Sequence, residues 1–211
     1  MRFVRFGITL ERLERTRLEV VRQWRNSDWV RPNMRYRAVV QPADQEPWFE
    51  RLDPVNDWYF CALLEDLPFA LFHVKDIEWT RSCGESGGFV GDPAFIGRPE
   101  PARATLALMD FAFLLLRLES LEAQYSPALP RVVRFNDQLG YEIFGVEADG
   151  FVRARVTADR YFSSAAAFRR AATARHGGAA VLSAADPWLA RYLAERPARS
   201  LPDFRLQLTS G

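Results

Sequence analysis

The sequence predicts an α/β (α+β) fold, and two observations carry that prediction. Between residues 92 and 118, a short loop with three prolines leads directly into one long apolar stretch. On both sides of it, short stretches rich in β-branched and aromatic residues alternate with segments of helical periodicity. The chain has 211 residues, of which 48% are hydrophobic and 13% aromatic, so a sizeable core can form.

The long apolar stretch is predicted to be a central helix that begins at Pro101 or Ala102 and ends at about residue 118. Leu106, Met109 and Phe113 recur at helical spacing, and most positions between them are also apolar, so we expect the helix to be buried. Proline is well tolerated in a first helical turn. The preceding loop brings backbone N–H groups and the positive end of the helix dipole together, which is typical of an anion site.

The other elements follow from periodicity and from turn and capping residues. The predicted strands span residues 3–10, 57–64, 69–77, 86–90, 121–125, 141–146 and 151–157. The predicted helices span residues 11–25 (with an alternative start at Thr16), 41–51, 131–139, 162–174 and 187–195. The turn at residues 66–68 makes the second and third strands an antiparallel hairpin. The segment after Arg196 contains two prolines and is expected to be loosely held.

Composition narrows the functional classes. Lys and Arg number 28 and Asp and Glu number 27, so the net charge of +1 gives no general attraction to nucleic acid or to a membrane surface. Two cysteines do not make a disulfide framework, and the two histidines lie too far apart in sequence to suggest a metal site. We expect no signal peptide and no membrane span, and therefore a cytoplasmic protein.

The loop and central helix, read together with their flanking residues, resemble the GCN5-related N-acetyltransferase (GNAT) family. Trp24-Arg25-Asn26 followed by Met34 is similar to the first helix and loop of the branch that modifies ribosomal-protein N-termini and nucleotide-linked amino sugars. As in that family, the strand at 86–90 leads directly into the loop. Leu139-Gly140-Tyr141 joins a helix to the last two strands, which is also how a member of that family ends. The resemblance covers residues 1–157, and residues 158–211 are expected to be a helical extension packed on or beside that domain.

The resemblance implies a mixed, mostly antiparallel central sheet with helices on both faces. It also implies an acyl-CoA-dependent N-acyltransferase that uses acetyl-CoA as co-substrate. The acceptor would be a small-molecule or peptide primary amine, on a nucleotide-linked amino sugar or a protein N-terminus. No nucleic-acid or membrane partner is expected, and a homodimer is among the expected arrangements.

In the family, a loop of pattern Arg/Gln-x-x-Gly-x-Gly/Ala cradles the coenzyme A pyrophosphate at a helix N-terminus. Ile96, Pro99 and Pro101 stand at the signature positions here, and neither proline can donate an N–H. Glu100 would repel a pyrophosphate if its side chain faced inward. Two hypotheses therefore stay open: coenzyme A binding by an altered loop, or a non-catalytic binding protein of the same fold. If coenzyme A binds through the altered loop, the cofactor-binding residues are predicted to be Phe89, Val90, Gly97, Arg98, Ala102, Arg103 and Ala104.

The catalytic candidates are Glu78 and Glu85, either of which could be the base, and Tyr125 as the acid. Surface charge is the alternative for each glutamate, and a core contact is the alternative for the tyrosine. The residues predicted to bind the acceptor are Trp29, Arg31, Met34, Arg35 and His73. Arginines beside a tryptophan suit a nucleotide diphosphate and its base, and they suit an acidic peptide equally well.

Overall fold

A computed structural model describes residues 1–209, and within that range the strands form one ten-stranded sheet. The strands are β1 (Arg2–Arg5), β2 (Ile8–Arg12), β3 (Trp58–Leu64), β4 (Leu67–Glu78), β5 (Cys83–Val90), β6 (Ser120–Tyr125), β7 (Glu142–Val146), β8 (Val152–Thr157), β9 (Ala179–Ser183) and β10 (Arg205–Thr209). The helices are α1 (Leu18–Asn26), α2 (Pro42–Glu50), α3 (Pro99–Asp110), α4 (Pro130–Gln138), α5 (Ala158–Ser164), α6 (Ala166–His176) and α7 (Pro187–Glu195).

The strand order is β10-β9-β1-β2-β3-β4-β5-β6-β8-β7. Among these neighbours, β5–β6 and β9–β10 are parallel, and the other pairs are antiparallel. The predicted mixed, mostly antiparallel sheet is therefore confirmed.

Helices cover both faces of the sheet, as predicted. On one face, Val21 and Trp24 of α1 pack with Cys61 and Leu71 of the sheet in a small apolar cluster. On the other face, α3 belongs to the larger core cluster, which also takes in residues of α5, α6 and α7. No helix in residues 1–209 has both the length and the hydropathy required to cross a bilayer.

The central helix is buried as predicted, but it begins at Pro99 and changes pitch at its end. Pro99 and Pro101 both fall in the first turn, where a missing N–H breaks no helical hydrogen bond. After Asp110 the chain continues as a π-helical turn, Phe111–Leu115, whose residues are all buried. The Phe111 ring lies 5.0 Å from that of Phe60 between their centroids.

The prediction of one strand over residues 3–10 is wrong, because the chain reverses at Phe6-Gly7 to make the hairpin of β1 and β2. Both turn residues have positive φ, and a Cβ on Gly7 would lie 2.6 Å from His176 Nδ1. The first helix starts at Leu18 after a 3-10 turn at Arg15–Arg17, which lies near the alternative start at Thr16.

The extension is not purely helical. Besides α5, α6 and α7 it contributes β9, which pairs with β1, and β10, which pairs with β9. The prediction of a loosely held segment after Arg196 is therefore wrong for residues 205–209, because β9 supplies backbone partners that no local pattern reveals. The last two residues of the predicted extension, 210 and 211, lie outside the described residues.

A buried ion cluster joins the extension to the rest of the chain. Arg5 Nε lies 3.0 Å from Asp110 Oδ2, and Arg5 Nη1 donates to the carbonyl of Gly178 at 2.6 Å. Arg169 of α6 pairs with the same aspartate and with Asp203, the latter at 2.9 Å. Such a cluster stabilises the fold only when every charge in it has a partner.

Candidate active site

The sheet is open between β5 and β6. The two strands pair in parallel from Cys83 and Ser120 up to Glu85 and Glu122, where the described register ends. Both strands continue beyond that point, β5 to Val90 and β6 to Tyr125. The strands therefore diverge, and a gap lies between their carboxyl ends.

The backbone of β5 presents unpaired polar groups to this gap. Gly91 N–H donates to the Phe69 carbonyl at 2.8 Å, and Val90, Phe89 and Gly88 follow in antiparallel register with β4. Because hydrogen-bonded and non-hydrogen-bonded pairs alternate in an antiparallel ladder, the N–H and C=O groups of Gly88 and Val90 point away from β4. An extended ligand with amide groups could pair with them as a further strand would.

Glycine is required along this edge because other residues pack directly on the backbone. A Cβ on Gly87 would lie 2.7 Å from His73 Nε2, and one on Gly88 would lie 2.5 Å from the Leu71 carbonyl oxygen. A Cβ on Gly91 would overlap the ring of Trp24 in α1. The glycines thus let α1 and β4 close against the edge of the gap.

A cavity of about 1220 Å³ opens at the gap, with walls from α1 and the segment after it, from α2, from β3 to β6 and from the start of α4. The predicted site residues that line it are Trp29, Met34, Arg35, His73, Glu85, Phe89, Val90 and Tyr125. The predicted site residues that do not line it, although the structure describes them all, are Arg31, Glu78, Gly97, Arg98, Ala102, Arg103 and Ala104. Glu78 instead pairs with Arg81 at the surface.

A chain of polar contacts crosses the gap on the cavity side. Lys75 Nζ lies 3.0 Å from one oxygen of Glu85, and Gln124 Nε2 donates to the other oxygen at 2.9 Å. Arg35 Nη1 donates to Gln124 Oε1 at 2.7 Å, and Arg35 Nε pairs with Asp149 at 2.5 Å. The Glu85 carboxylate is therefore held at the point where β5 and β6 separate.

His73 lies beside this chain and is uncharged. Burial, reinforced by the positive charge of Lys75, lowers the pKa of His73 to about 3. The imidazole is therefore neutral at physiological pH and is a weak base for an ammonium group. Its ring centroid lies 5.0 Å from that of Tyr59, whose pKa burial raises to about 12.

Two further tyrosines lie near the gap. Burial raises the pKa of Tyr125, against the opposing effect of a hydrogen bond with Asn136, so its hydroxyl is protonated at neutral pH. Tyr141 is buried, and its hydroxyl lies 2.5 Å from Ser86 Oγ, which donates to the Glu122 carbonyl at 3.1 Å. Tyr141 therefore fixes the point at which β5 leaves β6, whereas Tyr125, with its hydroxyl protonated, is one of the residues that line the cavity.

Cationic side chains dominate the lining. Five cationic residues face two carboxylates: Arg25, Arg35, Arg51, Lys75 and Arg131 against Asp44 and Glu85. Sequence reasoning missed Lys75, although it follows His73 by two residues in a strand, a spacing that puts both side chains on one face. Nothing local in the sequence points to Arg51 or Gln124.

The N-terminus of α3, where the resemblance implies a pyrophosphate site, offers few backbone donors in its first turn. Pro99 and Pro101 carry no N–H, and Arg98 N–H donates to the Phe95 carbonyl at 3.2 Å. Burial raises the pKa of the Glu100 carboxyl, but its own backbone N–H and the side chains of Arg98 and Arg103 outweigh burial and lower it, so this amide faces a carboxylate of the protein itself. A helix N-terminus binds an anion through such amides, so this one does not fit a diphosphate.

Comparisons with solved structures identify the fold of this chain. No family model matches the sequence, and no curated protein matches it. The spermidine N-acetyltransferase from Vibrio cholerae, solved in complex with CoA and spermine, superposes with a TM-score of 0.65 at 15% identity, over 75% of this chain and 99% of that one. A T. thermophilus protein described as an acetyltransferase superposes with a TM-score of 0.65 at 20% identity, over 81% of this chain and 96% of that one.

A dodecameric structure of the Vibrio enzyme also matches, with a TM-score of 0.61 at 16% identity, over 74% of this chain and 97% of that one. The identities are low, and what the three structures share with this chain is the arrangement of strands and helices. The fold of this chain is therefore that of the GNAT N-acetyltransferases, as the sequence resemblance implied.

Proposed function

We propose that the protein is an N-acyltransferase that moves an acyl group from a pantetheine thioester, such as acetyl-CoA, to a primary amine. The observation that carries this proposal is the divergence of β5 and β6 beside a large polar cavity. The gap suits an extended amide-containing arm, and the cavity offers room for an acceptor next to it. The CoA complex of the Vibrio enzyme, which has the same fold, supports the proposal.

Acyl transfer forms a C–N bond and breaks a C–S bond, so the amine loses a proton and the departing thiolate gains one. We assign Glu85 as the base, because it is the carboxylate fixed where the strands separate. We assign Tyr125 as the acid, because its hydroxyl is protonated and lines the same cavity. The Gly88 N–H, which points into the gap, would stabilise the oxyanion.

The acceptor is proposed to carry negative charge. Arg35 pairs with Asp149 and Lys75 pairs with Glu85, but the other three cationic side chains of the lining form no ion pair among the described residues. This excess of positive charge disfavours a polyamine and favours an amine attached to phosphate or carboxylate. Trp29, whose Nε1 donates to the Gly91 carbonyl at 3.1 Å, offers a ring on which a base could stack. A nucleotide-linked amino sugar and an acidic protein N-terminus both satisfy this chemistry.

A transfer assay tests the acceptor class. Thiol release from acetyl-CoA would be followed with a nucleotide-linked amino sugar, a peptide with an acidic N-terminal sequence, spermidine and an uncharged amine. We expect turnover with one of the two anionic acceptors. Arg35→Ala should raise the KM for that acceptor about tenfold, roughly the value of one charge-assisted contact. Arg31→Ala, in the same segment but outside the cavity, is the matched control, and spermidine as the best acceptor would contradict the proposed charge.

A second assay tests the base. Glu85→Gln should lower kcat by about 100-fold or more, the usual contribution of a general base. Glu78→Gln removes a glutamate outside the cavity and should leave kcat unchanged.

The closed N-terminus of α3 favours one other function, a non-catalytic binding protein of this fold. Absence of thiol release with every acceptor, together with absence of binding to acetyl-CoA in calorimetry, would support that alternative and overturn the acyltransferase.

A further inference from the structure

We propose that the acyl donor is selected through its pantetheine arm, and that the nucleotide diphosphate of coenzyme A contributes little to binding, because Glu100 already serves as the anion at the start of α3. The inference rests on the proposed function and deepens it by defining the donor class. It starts from the disagreement between this helix end and the diphosphate site that the fold family implies.

Glu100 takes the place that a bound anion would take. Its side chain is only 8% exposed, and it accepts hydrogen bonds from Arg98 Nε at 3.1 Å and from Arg103 Nη2 at 3.2 Å. Burial alone would raise the pKa of Glu100, but its own backbone N–H and the two arginines outweigh burial and lower it. The Glu100 carboxylate is therefore ionised, and it already accepts hydrogen bonds from groups of the protein itself.

Arg103 cannot leave this arrangement to meet a phosphate without breaking several contacts. Its Nη1 donates to the Phe6 carbonyl at 2.8 Å and lies 3.0 Å from His176 Nε2, which accepts because a guanidinium has no lone pair to offer. His176 is the last residue of α6, so the C-terminal extension itself closes over this helix end. Gly7 of the β1–β2 turn packs closely against the Arg103 guanidinium, since a Cβ on Gly7 would lie 2.9 Å from Arg103 Nη1.

The gap between β5 and β6, where the pantetheine arm of the acyl donor would bind, is open. Gly88 and Val90 face the gap with unpaired amide groups, and both residues line the cavity. A pantetheine arm carries two amides in an extended chain, so it can continue the ladder of β5 as a strand does. Recognition of the donor is therefore concentrated on the arm next to the thioester, with an ionised carboxylate opposing the diphosphate at the far end.

Calorimetry with CoA and with pantetheine, the same arm without phosphates or nucleoside, tests the inference on the full-length protein. We expect dissociation constants within about threefold of each other, since a helix end with two prolines in its first turn and an internal carboxylate adds little for an anion. Glu100→Gln removes the internal charge and releases Arg98, while Arg103 stays bound to the Phe6 carbonyl and to His176. It should tighten CoA binding about fivefold or more through new charge-assisted contacts, with pantetheine binding unchanged.

Pantetheine binding also reports whether the variant folds. Glu19→Gln is the matched control, because Glu19 pairs with Arg22 at the same i,i+3 spacing on α1, away from α3. CoA binding more than about tenfold tighter than pantetheine, a difference typical of several phosphate contacts, would overturn the inference while leaving the proposed function standing. Binding of neither compound would overturn both.

Discussion

Arg5 Nε lies 3.0 Å from Asp110 Oδ2, and neither side chain is exposed to solvent. The pair joins the first strand of the sheet to the end of the central helix. Because Arg169 and Asp203 share the same cluster, the residues after position 157 are tied to the same point. We propose that the extension and the first 157 residues unfold as one cooperative unit.

Asp110→Ala should lower the free energy of unfolding by about 3–5 kcal/mol, because it leaves the buried charges of Arg5 and Arg169 with one shared carboxylate, that of Asp203. Urea denaturation followed by circular dichroism measures the loss, and the transition should stay single. Glu78→Ala, which breaks an exposed pair with Arg81, should cost less than about 1 kcal/mol. Two separate transitions in the wild type would contradict the cooperative unit.

His73 should make stability fall as the pH drops. The folded state keeps this imidazole neutral down to a pKa of about 3, whereas the unfolded chain takes up the proton near pH 6.5. Between those values the unfolded state binds more protons, so lowering the pH from 7 to 5 should remove up to about 2 kcal/mol. Urea midpoints at the two pH values measure the loss, and His73→Gln should reduce it. An unchanged pH dependence in that variant would disprove the assignment.

Gly91 should tolerate no side chain. A Cβ there would overlap Trp24, so Gly91→Ala should push α1 away from the edge of the gap and cost about 1–3 kcal/mol. Thermal unfolding measures the effect. The control is Gly145→Ala in β7, where the nearest atom to the new Cβ would be 4.0 Å away. Equal losses of stability in the two variants would show that α1 can move away from Gly91 at no cost, and would contradict the prediction.

The two cysteines should differ in reactivity. Cys61 is fully buried, and burial raises the pKa of its thiol to about 12, so almost no thiolate is present at neutral pH. Cys83 is partly exposed. A colorimetric thiol reagent should therefore modify one thiol in the native protein and two in urea. Cys83→Ser should abolish the native reaction; rapid modification in that variant would mean that the α1 face opens readily.

The fold could be predicted where the decisive signals are local. Helix α7 runs from Pro187 to Glu195 as predicted, because the Asp186 side chain caps it by accepting from Leu189 N–H and proline begins it. Strand β9 could not be predicted, because its identity depends on a partner more than 170 residues away, β1, and β10 in turn depends on β9. A five-residue apolar run without that partner gives no distinctive pattern.

The candidate site also contains residues that the sequence predicts and residues that only the folded chain reveals. The segment after α1 was placed on the cavity by Trp29, Met34 and Arg35, whose residue types and order are recognisable in one dimension. The cofactor loop cannot be assigned in this way, because the sequence does not show which side chains pair with Glu100. Only the folded chain shows that Glu100 and its arginines satisfy each other, and that His176 from a distant helix completes the group.

The position of β1 has a consequence for biosynthesis. This strand ends at Arg5, and it lies between β2 and β9, although β9 begins only at Ala179. A ribosome therefore releases the hairpin of β1 and β2 with one edge unpaired until β9 has been made. Such an edge invites pairing with other chains. Completion of the sheet at β1 should accordingly wait until residues 179–183 have been synthesised.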